Sequence, residues 1–279
     1  MVFEGSRARR AILVLGMHRS GTSALTRTIN LLGAAAPQTL LAASASNERG
    51  HWESEPIVRL NDEILAACGH AWFSRGRMRV DPAAVTRANG LWDRLRATLD
   101  SEFGDASTVV LKDPRISRLV PLYREALQQA GYEVVSVLTL RNPLEVAQSI
   151  ATRDRLSVER ALETWLRYTL DAERATRGTV RALVAYEALL ADWRGCTARM
   201  KAQLGGEWFA VTPEMASEID AFLSPGLRHH TLDLPAAGFG RAAVAGRLYR
   251  DMVGRLSDHP SAVPGGLATG LAKACLALR

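Results

Sequence analysis

Eight residues near the start of the chain have the types and spacing of a loop that binds phosphate: Gly16-Met17-His18-Arg19-Ser20-Gly21-Thr22-Ser23. The two glycines allow a tight turn whose backbone N–H groups face an anion, and the helix expected after the loop presents its positive N-terminal end. A loop that holds Mg-ATP has Lys after the second glycine, then Ser or Thr for the metal ion. Here Thr22 stands at the lysine position and the positive charge lies within the loop, at Arg19. We therefore predict a phosphate-binding loop for a ligand other than Mg-ATP.

Basic side chains also follow two later apolar runs. Lys112 and Arg115 come after the run 108–111, and Arg141 comes after the run 133–140. Each of these cations, taken alone, is typical of a solvated surface. Together with Arg19 they predict a site for a strongly anionic ligand with phosphates at more than one end, because burying several cations without an anion is costly.

A parallel sheet has to position these residues. Four β-prone runs, at 11–15, 108–111, 133–140 and 182–185, alternate with helical patterns. This alternation predicts an α/β fold of three layers, with a central parallel β-sheet, helices on both faces and a P-loop NTPase-like topology. Ligands of such sheets bind at the carboxyl ends of the strands, so we expect the loop and the basic residues at one edge.

Composition favours one globular domain with an anionic ligand. The chain has 279 residues, 47% of them hydrophobic, and a formal net charge of +6. We expect a single domain over 1–279, with its core at about 11–230, a helical and loop insertion at about 34–107 and a helical extension at about 235–279. No interleaved aromatic and basic pattern and no helix-turn-helix or zinc-finger spacing is present, which disfavours nucleic acid.

Location and redox state follow from cysteine usage and hydropathy. The three cysteines, Cys68, Cys196 and Cys275, are scattered and are expected to be reduced thiols. The apolar run after the basic N-terminus is too short for a signal peptide, and nothing approaches the roughly 20 apolar residues that span a bilayer. We expect a cytoplasmic protein without membrane insertion, and the sequence leaves the oligomeric state open.

Two motifs in one order resemble the family of sulfotransferases that use 3′-phosphoadenosine 5′-phosphosulfate (PAPS). That family pairs a loop similar to Gly16 to Ser23, for the 5′-phosphosulfate, with a later Arg and a Ser eight residues on, for the 3′-phosphate. Arg141 and Ser149 have this spacing. The segments 112–115 and 186–190 look like parts of bacterial members that act on carbohydrates or other small hydroxylated substrates. The resemblance covers about residues 11–230.

The resemblance implies an enzyme that moves a sulfuryl group from PAPS to a hydroxyl acceptor, with an amine less favoured, and that releases 3′-phosphoadenosine 5′-phosphate (PAP). It implies that no metal is needed. The acceptor would be a glycan or another small molecule, near Lys112 and Arg115. The residues expected to bind the donor are His18, Arg19, Ser20, Gly21, Thr22, Ser23, Arg141 and Ser149.

The acceptor hydroxyl also needs a base. Bacterial relatives have a Glu after a Gly-aromatic-aromatic step in this region, which makes Glu53 the first candidate. Here His51 replaces the first aromatic residue, and an imidazole with an ordinary pKa near 6.5 is a rival base. Glu55 is a third choice. Arg19 and Lys112 are expected to stabilise the charge of the transition state. His229 and His230 are expected to cover the nucleotide, or else to lie in an exposed turn.

Two other functions remain open. A P-loop kinase of a small metabolite would need Lys in place of Thr22 and an acidic magnesium ligand after a strand, a position that Asp113 occupies. A non-catalytic nucleotide-binding protein would have a degenerate loop, whereas both phosphate motifs are complete. The sequence does not identify the acceptor.

Overall fold

The computed structural model describes residues 9–44, 47, 49–205, 210–223, 232–234 and 240–258. Strands and helices alternate along these ranges as the sequence predicts. In chain order they are β1 Arg9–Leu15, α1 Thr22–Leu31, α2 Glu55–Ala67, α3 Pro82–Ala88, α4 Leu91–Phe103, β2 Thr108–Leu111, α5 Ile116–Gln129, β3 Tyr132–Leu140, α6 Pro143–Asp154, α7 Val158–Thr176, β4 Arg181–Ala185, α8 Tyr186–Ala191, α9 Trp193–Leu204, α10 Pro213–Phe222 and α11 Arg241–Asp258.

The four strands form one parallel sheet in the order β2-β1-β3-β4. Ile12 of β1 lies opposite Val110 of β2 on one side and Val135 of β3 on the other. The sheet is covered on both faces, because successive side chains of β1 enter two different cores. Leu13 packs with α2, α4, α5, α6 and α7, whereas Ile12 packs with α1 and α9. The predicted three-layer α/β class is confirmed.

The strand bounds differ from the predicted ones by at most two residues. β3 and β4 each begin one residue earlier than the apolar runs indicate, and the insertion at about 34–107 contains α2, α3 and α4. The predicted histidine pair, His229 and His230, lies outside the described residues, as do residues 259–279 of the predicted helical extension. In the part of the chain that the structure describes, no helix is both long and apolar enough to span a bilayer.

Candidate active site

The phosphate-binding loop connects the buried end of β1 to the start of α1. Three of its residues have positive φ angles: 151° at Gly16, 67° at Arg19 and 84° at Gly21. The hydroxyl of Ser117, at the start of α5, accepts a hydrogen bond from Gly16 N at 2.9 Å and donates one to Gly16 O at 3.3 Å. The loop conformation is therefore fixed both by its glycines and by a neighbouring helix.

Gly21 leaves room for an aromatic ring that belongs to the site. A Cβ atom at this position would lie 2.2 Å from Cδ2 of Tyr186, the first residue of α8. The ring of Tyr186 in turn lies beneath Arg141, whose guanidinium carbon is 5.0 Å from the ring centroid. The absence of a side chain at Gly21 thus allows Tyr186 to support Arg141.

The two predicted phosphate motifs meet in space. Arg19 Nε donates a hydrogen bond to Ser149 Oγ at 2.9 Å, across 130 positions of sequence. Arg141 Nη1 donates to the backbone carbonyl of Arg19 at 3.1 Å, and its Nε donates to Glu145 at 3.0 Å. Asn142 caps α6 between them by accepting from Leu144 N at 2.9 Å. Donor groups from the loop, the end of β3 and the first turns of α6 therefore share one site.

Three polar atoms at this site are buried without a hydrogen-bond partner among the described residues. They are Ser20 Oγ, Arg141 Nη2 and His18 Nε2. A buried donor without an acceptor costs about 1–3 kcal/mol, and more when it is charged. The hydroxyl of Ser20 and the second guanidinium nitrogen of Arg141 are donors, so an anion bound here would satisfy both. The residues present therefore fit a phosphate-bearing ligand.

Lys112, at the end of β2, lies at the centre of a second group of polar contacts. Its ammonium donates to Ser23 Oγ at 3.0 Å, to His51 O at 2.8 Å and to the carboxylate of Glu53. Lys112 is 2% exposed and Glu53 is 5% exposed. The three acceptors match the three N–H groups of the ammonium, so the pair links the phosphate loop to the segment before α2.

His51 is held as a neutral imidazole. Its Nε2 lies 3.0 Å from Ser44 Oγ and its Nδ1 lies 3.4 Å from Asn47 Nδ2. Burial and the positive charges of Lys112, Arg153 and Arg19 lower the pKa of His51 to about 4. An imidazole with this pKa accepts a proton with little driving force at neutral pH.

We expect NMR titration of the ligand-free protein to give His51 a pKa near 4, with the resonance assigned through His51→Asn. Between pH 6.5 and pH 4 the unfolded chain then binds more protons than the folded one. His51 accordingly lowers the free energy of unfolding as the pH falls through this range, and His51→Asn should reduce that pH dependence. A measured pKa of 6.5 or higher would contradict the arrangement of cations described here.

Arg115 lies in an ion-pair network beneath the site. It contacts Asp113 at 3.0 Å and Asp62 at 2.6 Å. Asn61 donates to Asp113 at 2.8 Å, and burial raises the pKa of the Asp113 carboxyl. Two carboxylates therefore already compensate the charge of Arg115, and its contact with an acceptor stays a prediction.

One cation at the site was missed by the sequence reasoning. Arg153 lies one helical turn after Ser149 on α6, and its charge lowers the pKa of both His51 and His18. Its guanidinium carbon is 5.7 Å from the ring centroid of Trp72, which is 5.0 Å from the ring of His18. The i,i+4 spacing from Ser149 would have placed Arg153 on the same face of the helix.

Comparisons with known proteins find similar solved structures but no matching family model and no matching curated protein. The sulfotransferase domain of the curacin biosynthetic pathway aligns with a TM-score of 0.45 and 13% identity, over 98% of this chain and 98% of that chain. The sulfotransferase domain of the Synechococcus olefin synthase aligns with a TM-score of 0.42 and 16% identity, over 88% and 96%. The sulfotransferase STF1 from Mycobacterium tuberculosis aligns with a TM-score of 0.42 and 20% identity, over 76% and 70%.

All three TM-scores lie below 0.5, so we argue the activity from the side chains of this chain's own site. By its sheet, the chain is a three-layer α/β protein, and the loop from Gly16 to Ser23 follows its strand β1.

Proposed function

We propose that this protein is a sulfotransferase that moves a sulfuryl group from PAPS to an acceptor hydroxyl, on a carbohydrate or a small metabolite. The observation that supports this proposal best is the contact of Arg19 with Ser149, which joins the loop to the second phosphate motif. PAPS has anionic groups at both its 5′ and its 3′ positions, so one molecule of it would engage both motifs.

The donor-binding residues divide into two groups. The loop from His18 to Ser23 and the start of α1 would hold the 5′-phosphosulfate through backbone N–H groups, hydroxyls and the guanidinium of Arg19. Arg141 and Ser149 would hold the 3′-phosphate. The unpartnered Ser20 Oγ and Arg141 Nη2 atoms supply one donor to each group.

When bound, PAPS supplies the activated sulfuryl group and an anionic leaving phosphate. Arg19, the N-terminus of α1 and Lys112 lie where they would stabilise the negative charge that develops on that phosphate. Lys112 contacts Ser23 of the loop and Glu53 together, so it would link the leaving group to the base. None of these residues requires a metal ion for its role.

We propose Glu53 as the base that takes the proton from the acceptor hydroxyl. Its carboxylate is 5% exposed and contacts Lys112, which fixes its orientation. His51 is the weaker candidate, because both of its ring nitrogens already lie beside polar partners, Ser44 Oγ at 3.0 Å and Asn47 Nδ2 at 3.4 Å. Glu55 is the first residue of α2, and its carboxylate forms an ion pair with Arg59 on the helix surface. We therefore do not propose it as the base.

Titration calorimetry with PAP tests the proposal. We expect PAP to bind in a titration that contains EDTA. In a separate titration without EDTA, we expect Mg-ATP not to bind. Arg141→Ala should lower the affinity for PAP by about 10- to 100-fold, since charge-assisted hydrogen bonds contribute about 1.5–3 kcal/mol. Arg59→Ala, which removes the same charge from the exposed face of α2, is the matched control and should leave the affinity unchanged.

Tighter binding of Mg-ATP than of PAP would favour a P-loop kinase and overturn the proposal. The structure disfavours that alternative, because Asp113 is fully buried and contacts Arg115 and Asn61 instead of facing the loop. If PAP binds but no acceptor in a broad hydroxyl library accepts sulfate from labelled PAPS, the protein is a non-catalytic nucleotide-binding protein.

A further inference from the structure

A groove lined largely by arginine lies outside the phosphate site. It has a volume of about 1150 Å³ and is formed by the segment 69–79, one face of α7 and the start of α11. Seven arginines line it, and Glu163 is the one acidic residue among the described residues that do so. None of its lining residues belongs to the phosphate-binding loop or to α6.

The arginines come from α7, from the segment 69–79 and from the start of α11. Arg160, Arg167 and Arg174 recur every seven residues on α7, so their side chains share one face with a spacing of about 10 Å. In the segment 69–79, Arg77 and Arg79 flank Met78, which packs against the hydrophobic core and leaves both arginines exposed. A ligand in the groove would therefore be bordered by arginines from separate parts of the chain.

Most of the lining arginines have no carboxylate partner in the part of the chain that the structure describes. Glu163 pairs with Arg75 and with Arg241 across the groove, and Asp171 pairs with Arg167 at 3.3 Å. Within the described ranges, no carboxylate pairs with four of the lining arginines, and Nε of one of them, Arg160, is buried without an acceptor. Those four are Arg77, Arg79, Arg160 and Arg174.

Hydrogen bonds hold one wall of the groove in place. Arg118, on α5, donates to the carbonyls of Ser74 at 3.0 Å and Gly76 at 2.8 Å. Tyr168 donates from its hydroxyl to the carbonyl of Trp72 at 2.7 Å. A wall fixed in this way loses little conformational entropy when a ligand binds.

We propose that this groove is a second anion-binding site, which takes a compact ligand with two or more phosphate or sulfate groups. Planar guanidinium groups bind such tetrahedral oxyanions through two parallel hydrogen bonds. The volume is that of a large small-molecule site and exceeds what one inorganic anion fills. Nucleic acid fits less well, because Phe73, the one aromatic ring besides His70 among the described residues that line the groove, is already covered by Arg160 at 5.1 Å.

Calorimetry with inositol hexakisphosphate as the probe tests this site independently of the proposed activity. We expect the double variant Arg77→Ala/Arg79→Ala to bind the probe at least about tenfold more weakly, because the substitutions remove charge-assisted hydrogen bonds. Arg59→Ala/Arg96→Ala removes the same charge from exposed positions outside the groove and should change the affinity less than about twofold. Arg19→Ala, in the phosphate-binding loop, should likewise leave the affinity unchanged.

Three results would overturn the site. The probe could fail to bind the unchanged protein, or both double variants could weaken it equally, which would mean attraction to net charge alone. A loss of binding in Arg19→Ala would place the probe in the phosphate-binding loop. A single-stranded oligodeoxythymidylate that binds more tightly than inositol hexakisphosphate and loses affinity in Arg77→Ala/Arg79→Ala would replace the proposed ligand class with nucleic acid. Failure of PAP to bind leaves each of these readouts intact.

Discussion

Replacing Lys112 by Met is expected to lower the free energy of unfolding by about 3–5 kcal/mol, because it leaves the carboxylate of Glu53 buried without its cation. Glu53→Gln should have a similar effect, since it leaves Lys112 buried without its anion. Lys112 is 2% exposed and Glu53 is 5% exposed, so water compensates neither charge. Urea unfolding of each variant measures these losses.

The double variant Lys112→Met/Glu53→Gln separates stability from chemistry. It removes both charges, so we expect it to recover most of the lost stability. Its turnover should stay about 10²- to 10⁴-fold below that of the unchanged protein, which is the usual contribution of a general base. A stable double variant with full turnover would show that Glu53 is not the base. Single variants that lose less than about 1 kcal/mol would show that the pair is exposed to solvent.

Gly21→Ala is the second change with a large expected effect. The added Cβ would lie 2.2 Å from the ring of Tyr186, and φ at this position is 84°. Either the loop or the ring has to move, and movement of the ring removes the support of Arg141. We expect the free energy of unfolding to fall by about 2–4 kcal/mol from strain and overpacking together. PAP affinity should fall more than about 100-fold, because both phosphate groups lose donors.

Gly131→Ala is the matched control for this change. Gly131 has a φ of 83°, close to that of Gly21, but nothing lies within 4 Å of the position its Cβ would take. Gly131→Ala should therefore lower the free energy of unfolding by about 1–2 kcal/mol, through backbone strain alone, and leave the PAP affinity unchanged. Equal effects of the two substitutions on PAP binding would rule out the contact with Tyr186 as the cause.

The sequence predicts the sheet and the position of the loop between β1 and α1 well, because their signals are local. The strand bounds follow from short β-prone runs, and the loop follows from the spacing of Gly16 and Gly21 with a strand before it. Arg141, two residues before α6, and Ser149, within α6, come from one short segment, so their spacing is also a local signal.

The partners of the cations are not local and could not be predicted. Lys112 contacts Glu53 across 59 positions, and Arg115 contacts Asp62 across 53. Glu53 lies just before α2, and Asp62 lies within it. Their position beside the end of β2 depends on tertiary contacts that no residue pattern in either segment specifies. The sequence therefore indicates which cations gather at the sheet edge but not which of them are already paired.

The hydroxyl of Ser117 has a consequence for the order in which the molecule assembles. It holds both backbone groups of Gly16 from a position 101 residues further along the chain. Contacts of such high sequence separation form late in folding, since a long loop must close first. During synthesis the phosphate-binding loop therefore leaves the ribosome well before the helix that shapes it. A nascent chain that stops ahead of α5 should not retain a nucleotide, however complete its glycine motif.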